Sequence, residues 1–150
     1  MTLAVGDRVP TVTATNQDDE TVAVSGEEPT VVYFYPRDDT PGCTVEARQF
    51  ELERETYRDA GVAVYGVSTD DVSSHERFAE QYELGFDLLA DPDGEVAETF
   101  DVAVTGGTSE RVTFVLADGA VRAVYTGVEP DGHARTVLGD MLDGGLATLE

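Results

Sequence analysis

An α/β sheet with one antiparallel edge is predicted by three observations in this 150-residue sequence. Short β-branched runs alternate with stretches of helical periodicity, the pattern of a sheet covered by helices. Two such runs, 111–116 and 121–125, flank Asp118-Gly119, a turn signal that pairs them as a hairpin. Hydrophobic residues make up 41% of the chain, enough with this periodicity to set it apart from disordered sequences of similar charge. The length predicts one domain, 1–150, with a single substantial core.

Residues 9–14 and 21–24 alternate weakly around the polar segment Asn16 to Glu20, which predicts a short edge hairpin ahead of the core. Gly26-Glu27-Glu28-Pro29 then punctuates the entry to 30–35, a β-branched and aromatic run stopped by Pro36 and too short for a typical helix. It reads as a buried central strand. A helix is predicted from about 40 to 59, with Thr40 as N-cap, Pro41 at the first position, and Cys43, Ala47, Phe50 and Tyr57 on one face. Val45 and Leu52 lie nearly opposite. Gly61 ends that helix, and 62–68 forms a second buried strand. Ser73 with Glu76 predicts a capping box on a helix that carries His75, Phe78, Ala79 and Tyr82 on one face and stops at Gly85. A strand at 86–89, a short helix at 93–100 and a loop at 104–109 follow. The terminal hairpin leads to a last helix capped by Asp131, with Ala134, Val137, Leu138, Met141 and Leu142 at helical spacing.

Charge excludes several functions. Thirty-one acidic residues against nine basic ones give a formal net charge of −22, and every basic residue is arginine. The acidic residues are dispersed, so they read as a solvated surface. Their repulsion is screened where the Debye length falls to about 3 Å, near 1 M salt, which predicts a salt-rich, halophilic cytosol. Nucleic acid and anionic membranes are poor partners for such a surface. The N-terminus lacks a basic and apolar leader, and no apolar run reaches about 18 residues, so a soluble cytoplasmic protein is expected.

The chain has one cysteine, Cys43, which excludes an internal disulfide and a zinc cysteine cluster. Its predicted place at the third position of a helix puts it where free N–H groups and the helix dipole favour a thiolate, the nucleophilic form. As a lone buried cysteine it would instead be a small hydrophobe. Pro36, Thr40 and Cys43 form a Pro-x-x-x-Thr-x-x-Cys pattern, and the stretch from Tyr33 to Thr44 resembles the bacterioferritin-comigratory (PrxQ) subfamily of peroxiredoxins. Val5 to Pro10, Val64 to Ser68 and Arg111 to Leu116 fall where that family has counterparts, so the resemblance covers most of the chain.

The resemblance implies a thioredoxin-like fold of peroxiredoxin type with an N-terminal β-hairpin extension, and a thiol-dependent peroxidase acting on hydrogen peroxide and organic hydroperoxides. Cys43 would be the peroxidatic nucleophile. The Thr40 hydroxyl, the Cys43 N–H and Arg111, the arginine preceding Thr113-Phe114 by one residue, would hold the peroxide oxygens, while Pro36 shields the sulfur from water. Each has a plainer reading. Thr40 serves as an N-cap satisfying the Cys43 N–H, Pro36 as a strand terminator, and Arg111 as a strand-end arginine on an acidic surface. Many members of the subfamily carry a second cysteine where this chain has Arg48, so a one-cysteine cycle resolved by an external thiol is expected: thioredoxin, a glutaredoxin-like protein or a small thiol. A monomer or weak homodimer is expected, without cofactor or metal. The rival reading is a non-enzymatic peroxide sensor or a stress holdase. His75 and His133 show no spacing that pairs either with Cys43 for hydrolase chemistry.

Overall fold

The computed structural model describes residues 3–148. Its core is a seven-stranded sheet in the order β2-β1-β5-β4-β3-β8-β9. The strands β1 (Val12–Thr15) and β2 (Thr21–Val24) form the N-terminal hairpin, and Thr15 pairs with Ala90 of β5 (Asp87–Ala90), which brings the hairpin into the main sheet. β3 (Thr30–Phe34), β4 (Ala63–Ser68) and β5 run parallel. β8 (Val112–Ala117) and β9 (Ala120–Tyr125) add antiparallel to β3. Both flanks are therefore antiparallel, where the sequence predicted one. The arrangement is thioredoxin-like with the added hairpin. Asp118 and Gly119 turn β8 into β9 with φ of 55° and 73°, the two left-handed residues that a tight hairpin requires.

Period-two alternation in β3 builds two cores at once. Val31, Tyr33 and Tyr35 face one way and pack with Cys43, Ala47 and Phe50 of α1 (Pro41–Leu52) and with Val137 and Met141 of α5 (His133–Asp143). Val32 and Phe34 face the other way and pack with Val96 and Phe100 of α4 (Glu95–Phe100) and with Phe114. Tyr33 stacks on Phe50 at 4.5 Å and 14°. It also lies opposite Gly66, where a Cβ would come within 2.9 Å of the tyrosine ring, so only glycine fits there.

Five sequence expectations change. The helix expected to run unbroken to about 59 divides into α1 and α2 (Arg54–Asp59) at Glu53, whose backbone (φ −92°, ψ 1°) leaves helical values. Its carboxylate is held by Arg135 of α5 at 2.8 Å. Asp71 rather than Ser73 caps α3 (Val72–Tyr82), accepting from the Ser74 N–H at 2.8 Å. Both residue types cap well, and the aspartate stands two residues nearer the incoming strand. Glu83, not Gly85, takes the left-handed conformation that ends α3. Gly85 instead leaves room for Arg54, whose Nε lies 2.6 Å from where a Cβ would be. Gly132 is the N-cap of α5, and Asp131 accepts from Gln49 Nε2. The loop at 104–109 contains a small hairpin, β6 (Val104–Thr105) and β7 (Thr108–Ser109).

Candidate active site

The central strand β3 ends at a loop that turns into α1, and Asp39, at φ 57°, makes that turn. Thr40 follows in extended conformation (φ −100°, ψ 157°), with Pro41 at the first helical position. Cys43 is then the third residue of α1 and is 2% exposed. In the first turn its N–H has no carbonyl one turn back to receive it. The Thr40 hydroxyl does not cap the helix as expected; it donates to the Arg37 carbonyl at 3.0 Å.

Arg111 stands one residue ahead of β8. Because Phe34 pairs with Val112, the register sets residue 111 beside the exit of β3. From there its guanidinium forks: Nη2 donates to Cys43 Sγ at 3.3 Å and Nη1 to Glu46 Oε1 at 2.6 Å. A guanidinium is suited to this because its donors are fixed in one plane. Although burial opposes its charge, Glu46 and Cys43 together raise Arg111 above its usual range.

Glu46, one turn past Cys43, is fully buried. Burial pushes its carboxyl up to about 7, against the opposing pull of Arg111. Its second oxygen, Oε2, has no hydrogen-bond partner among the described residues, and neither has the Tyr33 hydroxyl. Burial, then the charge of Glu46, holds that hydroxyl well above its ordinary value. Gly42 makes room for the fork, since a Cβ there would stand 3.2 Å from Arg111 Nη2 and 3.4 Å from Pro130 Cγ.

The loop is fastened from below. Asp38 is buried and accepts from the Tyr35 hydroxyl at 2.6 Å and the Ser74 hydroxyl at 2.7 Å, with His75 Nδ1 also 2.7 Å away. Its own N–H donates to Asp70 at 2.7 Å. Asp38, Asp70 and His75 are, among the described residues, the one grouping whose potential ligand atoms lie within 4.8 Å of one another. Protein donors already occupy those atoms, and we assign no ion to them. His133 lies apart, its Nε2 at 2.8 Å from the Thr113 hydroxyl. Burial, then Arg111, pushes it down to about 4.

Of the residues singled out in the sequence, the structure brings Cys43 and Arg111 into contact, sets Thr40 at the helix start with its hydroxyl turned to Arg37, and leaves Pro36 half-buried at the strand exit. Neither histidine contacts Cys43 among the described hydrogen bonds. Glu46, Gly42 and Asp38 were missed. Glu46 left one signal, an acidic residue three positions from Cys43 on the inward face of the helix.

The AhpC/TSA family matches residues 5–124. A bcp-type relative from Coxiella burnetii is 36% identical over 149 residues, covering 93% of this chain and 99% of its own length. Peroxiredoxin Q of Suaeda salsa, a chloroplastic protein, is 40% identical over 85% of this chain, which spans 63% of that longer relative. Among solved structures, peroxidoxin BcpB from Mycobacterium tuberculosis superposes with a TM-score of 0.87 at 31% identity, covering 94% of this chain and 97% of its own. A bacterioferritin comigratory protein from Xanthomonas campestris, described for its alkyl peroxide reduction activity, superposes with a TM-score of 0.84 at 29% identity, over 93% and 99% of the two chains.

Proposed function

The chain belongs to the AhpC/TSA family as a peroxiredoxin of the BCP/PrxQ type, a thiol-dependent peroxidase, and from that premise we propose a one-cysteine cycle run by Cys43. The observation that carries this reading is the Arg111 fork, one arm on the only sulfur of a cysteine and the other on a buried carboxylate. A sulfur in the first helical turn that accepts a guanidinium N–H is placed to hold negative charge. The thiolate attacks the terminal oxygen of ROOH, the O–O bond breaks, and with one proton taken up the products are Cys43–SOH and ROH.

Charge develops on the departing oxygen, so donors already in place lower the barrier. Arg111 and the unengaged Cys43 N–H supply them. Thr40 has its hydrogen committed to Arg37, which leaves its oxygen lone pairs to accept the peroxide O–H. Pro36, at the strand exit, keeps water off the sulfur. Resolution requires two external thiols: the first condenses with the sulfenic acid, releasing water and leaving a mixed disulfide, and the second reduces that disulfide to restore the thiolate. Cys43 is so deeply buried that a small peroxide reaches it more readily than a bulky thiol, and the first turn of α1 must loosen for resolution.

The net charge of −22 supports a salt-rich cytoplasm as the setting. No helix among the described residues is long and apolar enough to cross a membrane. We read the oligomeric state as monomer or weak homodimer, with Val45 and Leu52 forming a narrow exposed strip on α1. The test is peroxide consumption with a dithiol in concentrated KCl, comparing the parent with Cys43→Ser and Arg111→Ala. Turnover lost in the first and slowed at least about a hundredfold in the second supports the cycle; unchanged turnover in Cys43→Ser rules it out.

A further inference from the structure

We propose that His75 is a positioning residue for the loop that carries Pro36 and Thr40, and that it acts with both ring nitrogens protonated, tying that loop to strand β5. The proposal rests on the peroxidase reading of Cys43. His75 has no exposed surface and lies in α3, remote from the sulfur in sequence. Its Nε2 stands 3.0 Å from the Leu89 carbonyl on β5. A carbonyl only accepts, so Nε2 carries a hydrogen.

The other nitrogen meets Asp38. Nδ1 is 2.7 Å from Oδ2, which also accepts from the Ser74 hydroxyl, while Oδ1 accepts from the Tyr35 hydroxyl. Three groups converge on one carboxyl, the arrangement of an ionised acceptor, and Nδ1 must then donate as well. The groups that face the ring are Asp38 and Tyr35 from the end of β3 and its loop, Ser74 from α3 itself and Leu89 from β5; Asp70, held by the Ser68 hydroxyl and the Asp38 N–H, completes the cluster. Asp38 and Asp70 are thus two carboxylates gathered around one ring able to balance one of their charges.

Asp38 lies between Pro36 and Thr40 and immediately precedes Asp39, the left-handed residue that turns the chain into α1. A ring without the Nδ1 hydrogen would set a lone pair against the lone pairs of Oδ2, acceptor against acceptor. The loop then loses its tie to β5, Thr40 and the first turn of α1 shift, and Cys43 moves relative to Arg111. Misplacement on the scale of an ångström is enough to slow a reaction severely.

Two readouts test this on the full-length chain. Nitrogen-15 spectra of the imidazole rings at pH 7 should show His75 with hydrogens on both nitrogens, beside a neutral His133. Competition with a haem peroxidase for limiting hydrogen peroxide gives the Cys43 oxidation rate, which should be about tenfold or more lower in His75→Gln than in the parent at pH 7. A neutral His75 ring at pH 7 overturns the proposal, whatever the variants do. So does a His75→Gln protein that keeps the parent's rate. A parent inert toward peroxide would refute the peroxidase reading, and the positioning role with it, while the spectrum would still report the ring's protonation independently.

Discussion

Replacing Glu46 by glutamine separates the cost of a buried carboxylate from its role in holding Arg111. The carboxyl stands at about 7 in the folded chain instead of 4.5, chiefly because burial takes it out of water. Each pH unit of difference corresponds to about 1.4 kcal/mol, so ionising Glu46 in place costs about 3 kcal/mol. The unfolded chain loses this proton near pH 4.5 and the folded chain near 7. Between those values the folded state binds more protons, so stability falls as pH rises through the window, and the whole penalty is present above it. Glutamine is neutral throughout and keeps a carbonyl for Arg111 Nη1. Below about pH 7 the folded chain's Glu46 is itself protonated and neutral, so the exchange costs little there. The stability of Glu46→Gln relative to the parent should therefore improve by about 3 kcal/mol between pH 4.5 and pH 8. Urea unfolding followed by circular dichroism, in about 1 M KCl to screen the dispersed surface charge, measures this. A difference that stays constant over that pH range would refute the account of Glu46.

Other outcomes follow from the same geometry. Gly42→Ala should lower kcat/KM for peroxide about tenfold or more, because the new methyl meets Arg111 Nη2 at 3.2 Å, while thermal stability is maintained or slightly raised by the better helix former. Thr40→Val removes the hydroxyl but leaves the backbone cap; the expected result is a peroxide rate about 10- to 100-fold lower and a stability loss of about 1 kcal/mol, read by stopped-flow kinetics and urea unfolding. His133 is held down at about 4, so the folded chain binds its proton less readily than the unfolded chain and stability is lost as pH falls from about 6.5 to 4. His133→Gln should flatten that acid limb, and a limb as steep as the parent's would show that another group produces it.

Most of the sheet was legible because its strands carry their own pattern. Val31, Tyr33 and Tyr35 alternate with Val32 and Phe34, and the structure divides them between two cores. The helix start at Thr40-Pro41 and the position of Cys43 also followed from local rules that tertiary contacts left intact. Ends and caps were less legible, because Asp71 competes with Ser73, and Glu83 takes the left-handed conformation expected of Gly85, which instead leaves room for Arg54. The second flank of the sheet was hidden for a different reason: the pairing of Thr15 with Ala90 joins segments far apart in the chain. Glu46 and His75 were hidden for the same reason. A glutamate on a helix reads as solvated until Arg111, 65 residues away, is seen to meet it, and His75 reads as packing until Asp38 arrives 37 residues from it.

The central claim is that Cys43 is oxidised by peroxide at a site built by Arg111. The most direct measurement is the intact mass of the reduced protein after one equivalent of hydrogen peroxide, with a sulfenate-specific trap added in parallel. The mass should rise by one oxygen atom within the mixing time, the trap should label Cys43, and Cys43→Ser should show neither change. A parent that gains no oxygen, or a Cys43→Ser protein that gains it equally, would contradict the account.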